Sequence, residues 1–314
     1  MSYIQLKNVA YRYPIGHGDV LKGINVEIEK GGFYALIGAN GSGKTTFCNV
    51  LRGFVPHFYK GDLRGDVLID GKDIREWDMG ELAQKIGYVF QNPFTQISGV
   101  KDTVFEEIAY GLENLGVEVE EIKQRVHDVI ELLGIGYLRE KNPNELSGGQ
   151  KQRVALASII VMDPDILVID EPTSQLDPQG TEEIFKIIEL MKLKGQTIIL
   201  AEHKIELIAE KAEQVIVFKD GEVVMQGPTE EILTDEQVLE HGAALPQYAL
   251  LGLEMRKRNW GIDRIPLTEK QAIETVRAVM EQQEARTVDS AADEHPKQTV
   301  QSVAAAKEGQ VCHS

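Results

Sequence analysis

The sequence predicts an α/β fold with a mostly parallel sheet, because short apolar strands alternate with helical segments along the chain. Phe33 to Ile37, Ile166 to Ile169 and Thr197 to Ala201 are apolar segments of strand length, as expected of parallel strands that are covered on both faces. A helical segment from about Thr181 to Lys194 separates the last two. Strand–helix–strand alternation of this kind is typical of a sheet with helices packed on its faces.

The two ends of this pattern predict further strands. In residues 3–36, apolar and polar residues alternate and glycines mark the turns, which favours strands joined by tight connections. Asp220-Gly221 separates two apolar segments, Val215 to Phe218 and Glu222 to Met225. This dipeptide between two strands predicts a hairpin.

The residues between Gln91 and Leu146 are predicted to be helical. They follow a short predicted strand, Tyr88 to Phe90. Apolar residues recur there at the spacing of one helix face: Ile122, Val126, Val129, Ile130 and Leu133. Gly134 follows as a helix stop. We therefore expect a helical subdomain at about residues 92–158, inserted between strands of the sheet.

The sequence pattern of the chain changes after about residue 228. Thr268-Glu269-Lys270-Gln271 is a predicted capping box that opens a helix. That helix would carry four apolar residues on one face: Ile273, Val276, Val279 and Met280. After Glu284 the sequence is rich in Ala, Gln, Asp, Glu and Ser without periodicity, which predicts disorder. We expect a main domain at 1–228, a helical extension at 229–284 and a disordered tail at 285–314.

The composition argues against a nucleic-acid partner and against a membrane-spanning chain. The 314 residues carry a formal net charge of −17, whereas binding to nucleic-acid phosphates requires clustered Lys and Arg. No apolar run approaches the roughly 20 residues that cross a bilayer. The two cysteines, Cys48 and Cys312, are far apart in sequence, which favours a reducing compartment over a disulfide framework.

A phosphate-binding loop is the strongest local signal. Gly38-Ala39-Asn40-Gly41-Ser42-Gly43-Lys44-Thr45 lies between a predicted strand and a predicted helix, which is the Walker A pattern. The glycines let backbone N–H groups turn towards phosphate oxygens, and Lys44 supplies a cation. The Thr45 hydroxyl can bind Mg²⁺, and Thr46 follows at the helix N-terminus. The alternative is an ordinary glycine-rich turn.

Asp170-Glu171 is a pair of carboxylates at the end of a predicted parallel strand, where α/β sheets bind ligands. Asp170 suits the coordination of Mg²⁺, and Glu171 suits the orientation or deprotonation of an attacking water. Phosphoryl transfer depends mostly on positioning and electrostatics, so these few groups can suffice. The alternative is two surface carboxylates at a strand end.

A third motif is Leu146-Ser147-Gly148-Gly149-Gln150. Ser147 is a good helix N-cap, Gln150 completes a capping box, and Gly148 and Gly149 expose helix N–H groups to an anion. This pentapeptide is the signature of the ABC ATPase family, and residues 3–228 resemble that family with its motifs in order. The resemblance implies a P-loop parallel-sheet core, an N-terminal antiparallel β subdomain and the inserted helical subdomain.

The same resemblance implies roles for single residues. Gln91 resembles the Q-loop glutamine, which contacts Mg²⁺ and acts in catalysis together with Lys44 and Glu171. His203 resembles the switch histidine that contacts the γ-phosphate. Tyr13 resembles the aromatic residue that stacks on adenine, although Tyr11 is a rival. Ser174-Gln175-Leu176-Asp177 resembles the D-loop, with Gln175 where Ala is more usual.

Resemblance also implies partners. In this family two subunits enclose two ATP molecules, so that Ser147, Gly148, Gly149 and Gln150 of one subunit face the Walker A loop of the other. Two alternatives stay open for the second subunit in that arrangement: an identical chain and a paralogue. Transmembrane subunits would dock near Gln91 to Ile97, which places the chain at the cytoplasmic face of the membrane. Phe94 in this segment has a rival interpretation as a core residue.

A finer resemblance is to energy-coupling-factor transporter ATPases, including the cobalt-importer type. Three segments of the main domain carry it: Val89-Phe90-Gln91-Asn92-Pro93 followed by Gln96-Ile97, Asp170 to Pro178, and Ala201-Glu202-His203-Lys204. The segment from Leu245 to Arg258, with the helix after Thr268, resembles the C-terminal extension of that group. The implied function is ATP hydrolysis that energises import of a vitamin or a transition-metal ion. Two alternatives stay open: the ATPase of an ABC exporter, and a non-transport ABC protein that acts on ribosomes or DNA.

Overall fold

Two sheets organise the part of the chain that the computed structural model describes, residues 2–293, with side chains described through residue 283. The strands in chain order are β1 (Ile4–Arg12), β2 (Leu21–Ile28), β3 (Phe33–Ile37), β4 (Asp62–Ile69), β5 (Lys72–Asp73), β6 (Ile86–Val89), β7 (Ile166–Asp170), β8 (Thr197–Ala201), β9 (Gln214–Lys219) and β10 (Glu222–Pro228). All the strands that the sequence predicts are present.

Twelve helices accompany these strands in residues 2–293. They are α1 (Lys44–Leu51), α2 (Phe54–His57), α3 (Met79–Lys85), α4 (Val104–Asn114), α5 (Val119–Leu132), α6 (Gly148–Ile160), α7 (Pro178–Leu193), α8 (Ile205–Lys211), α9 (Thr229–Ile232), α10 (Gln237–Glu240), α11 (Gln247–Lys257) and α12 (Glu269–Asp293). None of the described helices is both long and apolar enough to cross a membrane.

The larger sheet has the order β10-β9-β3-β8-β7-β6. The pairs β9–β3, β3–β8, β8–β7 and β7–β6 are parallel, and β10 joins β9 as the predicted antiparallel hairpin. Ala201 of β8 is in register with Leu36 of β3 and with Asp170 of β7. The carboxyl ends of these strands therefore meet at one edge, where α/β sheets bind ligands.

The smaller sheet is antiparallel and has the order β2-β1-β4-β5. Its apolar residues share a core with α1 and with one face of the larger sheet, through Tyr11, Phe47, Tyr88 and Phe218 among others. The sequence predicts β1 and β2 but not β4 and β5. This packing holds the N-terminal sheet against the helix that follows the glycine-rich loop.

The helical insertion lies between β6 and β7 and contains α4, α5 and α6. Apolar residues of these helices pack together and against α7 and the other face of the larger sheet, where they meet Leu167 and Ile198. The last insertion helix, α6, ends at Ile160, two residues beyond the predicted limit. The predicted helix face from Ile122 to Ile130 is buried.

The C-terminal extension packs on the strand that leads into the glycine-rich loop. Ile37 of β3 and Val217 of β9 share a core with Leu245, Ala249 and Leu253 of the extension. The extension is thus anchored to the larger sheet by apolar contacts.

The predicted helix after Thr268 is α12. Ile273, Val276 and Met280 line one groove with Tyr248 and Leu251 of α11, and Ile273 and Met280 are exposed there, whereas Val279 is buried. The tail is predicted from residue 285, whereas α12 continues to Asp293. The remainder of the predicted tail lies outside the described residues.

Candidate active site

The glycine-rich loop joins β3 to α1, and two of its glycines are required by geometry. A side-chain carbon on Gly38 would lie 2.2 Å from the carbonyl oxygen of Phe218. Gly43 has a φ of 109° and immediately precedes Lys44, the first residue of α1, and this backbone conformation favours glycine. The loop therefore closes tightly over the end of the sheet and presents the N-terminus of α1.

Lys44 lies inside this loop. Its Nζ donates hydrogen bonds to the carbonyl oxygens of Gly38 and Ala39, at 2.9 and 3.1 Å. Burial lowers the pKa of Lys44, while the carboxylates of Glu171 and Asp170 oppose that shift. The Ser42 hydroxyl is also buried and has no hydrogen-bond partner. These acceptors are neutral carbonyl groups, which bind an ammonium more weakly than charged phosphate oxygens do. The Lys44 ammonium can therefore exchange them for phosphate oxygens.

Asp170 ends β7 beside α1. Its Oδ1 is buried without a hydrogen-bond partner, and its Oδ2 accepts a hydrogen bond of 3.4 Å from the Tyr88 hydroxyl. Burial raises the pKa of Asp170, the neighbouring Glu171 raises it further, and a hydrogen bond from Thr45 opposes the shift. A buried carboxylate oxygen next to a threonine hydroxyl is a donor set that suits a divalent cation.

Glu171 is held between two predicted site residues. Its Oε2 accepts a hydrogen bond of 2.6 Å from Nε2 of Gln91, and its Oε1 lies 3.0 Å from Nε2 of His203. Gln91 follows β6 and His203 follows β8, so the residues come from both sides of β7. Gln91 is thus in contact with Glu171 and has no hydrogen bond to Asp170 or Thr45 among the described residues.

The backbone of Glu171 adopts an unusual conformation. Its φ is 46°, and every other non-glycine residue with positive φ in the described chain is Asn or Asp. A left-handed conformation costs about 1–2 kcal/mol for such a residue. The hydrogen bond from its backbone N–H to the carbonyl of Ala201, at 2.8 Å, helps to hold it there. Strain of this kind at a strand end is characteristic of functional sites.

Tyr13, and not its rival Tyr11, lies beside the loop. Its hydroxyl is 3.3 Å from the Thr46 hydroxyl of α1, and its ring is partly exposed. Tyr11 is fully buried and packs edge-on against Tyr13 at 4.8 Å between ring centroids. Only Tyr13 can offer a ring surface to a bound base.

The serine-glycine motif forms the N-terminus of α6 as predicted. Ser147 Oγ accepts from the backbone N–H of Gln150, and Gln150 Oε1 accepts from that of Ser147, at 3.4 and 3.2 Å. A side-chain carbon on Gly148 would touch nothing within 4 Å, so the backbone there is open. No hydrogen bond or ion pair of residues 2–283 joins Ser147 to Gln150 with the glycine-rich loop, Asp170 or Glu171. These residues bound a separate pocket of about 430 Å³ with the predicted D-loop residues Gln175, Leu176 and Asp177.

The loop after Gln91 carries an exposed aromatic residue. Phe94 lies in a single 3₁₀ turn, Pro93–Thr95, and is 53% exposed; the interpretation of Phe94 as a core residue is wrong. Its ring is 4.3 Å from Nζ of Lys151 in α6. Ile97 is partly buried against the insertion core. The loop therefore connects Gln91 to the helix α6.

Two contributors to the site had no signal in the sequence analysis. Tyr88 reaches Asp170 from the neighbouring strand β6. Glu202 is buried and accepts hydrogen bonds from the Thr173 hydroxyl and from the backbone N–H of His203, both at 2.7 Å. Glu202 thereby fixes the turn that carries His203. A polar residue directly after a buried strand is the pattern that could have indicated it.

Comparisons with known proteins agree with this geometry. A family model described as ABC transporter matches residues 21–174. The energy-coupling factor transporter ATP-binding protein of Clostridium perfringens is 40% identical over 262 residues, which are 82% of this chain and 90% of that protein.

Two solved structures are similar as well. The protein cbiO1 of Clostridium perfringens, described as part of the ABC transporter complex cbiONQ, has a TM-score of 0.66 and 35% identity, covering 76% of this chain and 93% of that chain. A dimeric bacterial ABC transporter cassette has a TM-score of 0.63 and 31% identity, covering 72% of this chain and 98% of that chain. These similarities confirm the predicted fold class.

Proposed function

Because the chain belongs to the family of ABC transporter ATP-binding proteins, which hydrolyse ATP, we propose that its hydrolysis drives import of a vitamin or a transition-metal ion through separate membrane subunits. The observation that carries this proposal is the hydrogen bond between Gln91 and Glu171. Gln91 begins the loop that exposes Phe94, so a partner that moves this loop also moves a neighbour of the catalytic carboxylate.

Each site residue has a role in this proposal. Lys44 and the backbone N–H groups of Gly38, Asn40, Gly41, Ser42 and Gly43 bind the phosphates, and Tyr13 stacks on adenine. Glu171 orients the attacking water and takes its proton, His203 contacts the γ-phosphate, and Gln91 holds Glu171 in place. Removal of one such electrostatic group typically costs 10²–10³ in rate.

A magnesium ion is expected to accompany ATP. The buried, unpartnered Oδ1 of Asp170 and the adjacent Thr45 hydroxyl fit such an ion, and these two residues would hold it. When bound, it neutralises charge on the phosphates. Gln91, the third predicted ligand, contacts Glu171 in this structure.

The active site is completed by a second subunit in our proposal. No hydrogen bond or ion pair within residues 2–283 joins the signature residues Ser147 to Gln150 to the glycine-rich loop of their own chain, although their helix N-terminus is open and suited to bind an anion. The dimeric bacterial cassette to which this chain is similar supports this arrangement. The γ-phosphate would then join two chains, and its hydrolysis would release them.

Import is favoured over the alternatives by the relatives. The similar protein from Clostridium perfringens is an energy-coupling factor transporter subunit, and cbiO1 is part of a multi-subunit transporter complex. An exporter ATPase and a ribosome- or DNA-acting protein have no such support. The chain would lie at the cytoplasmic face of the membrane through its partners.

Purification of the tagged chain from membranes of its native host tests this proposal. We expect membrane proteins to co-purify with the chain in stoichiometric amounts. Proteoliposomes that contain the complex should transport one vitamin or metal ion only when ATP is present on the side of the membrane where this chain lies. The complex with Glu171→Gln is the matched control. Co-purification with ribosomes, or ATP-driven movement of cargo in the outward direction, would contradict import.

A further inference from the structure

A groove beside the Gln91 loop is lined by residues at the ends of the two helices that follow the glycine-rich loop and the signature motif, and by the strand that leads to Gln91. It encloses about 180 Å³ between the end of α1, the strand β6 and the end of α6. Arg52 and Phe54 line it just after α1, Tyr88 lines it from β6, and Ile159 and Met162 line it around the end of α6. A group seated here touches the helix that begins at Lys44 and the helix that begins at the signature motif.

Arg52 is the unusual residue in this groove. Its Nε and Nη1 are buried and have no hydrogen-bond partner. Its guanidinium lies 5.3 Å from the centre of the Phe54 ring. Among the described residues, this cation–π contact is the one polar or ring interaction of the charged group. Burial alone lowers the pKa of Arg52 to about 10, with no carboxylate acting on it.

This arrangement is costly in the isolated subunit. A buried charge without a partner destabilises a fold, and the favourable position of Arg52 at the carboxyl end of α1 offsets only part of that cost. The chain has 50 acidic and 33 basic residues, so acidic partners are abundant, yet none lies near Arg52. The missing acceptor is therefore expected from another molecule.

We propose that Arg52 receives a carboxylate side chain from the membrane subunit that docks on the Gln91 loop. A guanidinium is matched in shape to a carboxylate, with two parallel hydrogen bonds, and the aromatic and aliphatic walls exclude water from the pair. This inference rests on the proposed function and adds the chemistry by which the partner is recognised. The bound carboxylate would hold the ends of α1 and α6 in one arrangement.

A cross-link to the partner tests the pairing directly. Arg52→Lys keeps the charge and supplies an amine, which a water-soluble carbodiimide condenses with a nearby carboxylate to form an amide while the carbodiimide becomes a urea. In the purified complex we expect mass spectrometry to find this amide on an Asp or Glu of the membrane subunit. An intact complex whose amide forms only within this chain, or not at all, would overturn the proposal.

A second variant separates recognition from folding. Arg52→Met should leave the thermal midpoint of the isolated subunit equal or higher, because it removes an unpaired buried charge, and should weaken recovery of the membrane subunit at least about tenfold. The matched control is Arg139→Met, which removes a guanidinium that stacks on Phe105 at 4.7 Å but is exposed and paired with Glu140. Arg139→Met should change neither the thermal midpoint nor the recovery of the membrane subunit much.

The outcomes distinguish this inference from the proposed function. If the wild-type chain recovers no membrane subunit, the proposed function fails. If the wild type and Arg52→Met recover it equally, the proposed function stands and the role of Arg52 is overturned. A lower thermal midpoint for Arg52→Met would assign the side chain to folding and overturn its role in recognition.

Discussion

Nε2 of Gln91 donates a hydrogen bond of 2.6 Å to Oε2 of Glu171, and the two residues are 80 positions apart in the chain. They meet because β6 and β7 are parallel neighbours whose carboxyl ends lie side by side, with Val89 in register with Ile169. Gln91 belongs at the same time to the loop that exposes Phe94. The proposed catalytic carboxylate of Glu171 and the proposed docking loop are thus joined by one side chain.

Glu171→Gln should abolish hydrolysis while ATP binding persists. The amide has the same shape and size but accepts a proton poorly, so we expect kcat to fall by about 10²–10³. Steady-state hydrolysis and equilibrium binding of labelled ATP are the measurements. Glu182→Gln changes an exposed carboxylate on α7 and should leave both unchanged. Hydrolysis by Glu171→Gln within threefold of wild type would refute the role of Glu171.

Asp170→Asn should raise the thermal midpoint of the nucleotide-free protein at neutral pH. Burial raises the pKa of Asp170, so its ionised form is less favourable in the folded state than in the unfolded state, and wild-type stability falls as pH rises through the folded pKa. The variant avoids this loss. Its advantage should therefore shrink as pH is lowered and Asp170 becomes protonated.

Asp165→Asn is the control, and its effect on the thermal midpoint should have the opposite sign. Burial opposes ionisation of Asp165, but hydrogen bonds from Tyr3 and Lys85 outweigh it and the pKa of Asp165 is lowered. Its ionised form therefore stabilises the fold at neutral pH, and Asp165→Asn should lower the midpoint. A scan of both variants between acid and neutral pH checks the pair. A lower midpoint for Asp170→Asn at neutral pH would show that its carboxylate is structural.

Phe94→Ala should impair transport without unfolding the protein. The ring is 53% exposed, so its loss leaves no cavity, whereas loss of an interface anchor costs about 2 kcal/mol or more of binding. Uptake by the reconstituted complex should fall at least about tenfold, and the midpoint of the isolated subunit should stay constant. Val100→Ala, at a side chain that is 70% exposed, is the control. Normal uptake with Phe94→Ala would place the interface elsewhere.

The central strands could be predicted because their environment is uniform. β3, β7 and β8 are buried at every position, so the sequence has the continuous apolar segments that parallel strands require. β4 was not predicted. Gly65, at a φ of 82°, interrupts it, only its last residues are buried, and its partner β1 is distant in sequence.

The residues of the site were predictable, but their pairing was not. Lys44, Asp170 and the signature serine each follow from local motifs. That Gln91 holds Glu171, or that Tyr88 reaches Asp170, depends on which strands are neighbours in the sheet. On α12, the periodicity indicates which apolar residues share a face, but it cannot show that Ile273 and Met280 stay exposed beside α11.

Two inactive variants test whether each active site is shared between two chains, provided that the dimer contains identical subunits. Ser147→Arg blocks the signature face, and Glu171→Gln removes the catalytic carboxylate. If the sites are shared, a dimer with one chain of each variant has both substitutions in one site, and its other site is intact. Since random exchange makes half of all dimers mixed, an equal mixture should recover about a quarter of wild-type hydrolysis.

Measurement of ATP hydrolysis in that mixture, together with labelled ATP retained by verified mixed dimers, therefore decides the question. Activity near a quarter of wild type from two nearly inactive parents, with ATP retained at the intact site, is the expected result. A mixture that recovers no hydrolysis, and whose verified mixed dimers retain no ATP, would contradict the shared-site mechanism, because that mechanism leaves one site intact in every mixed dimer.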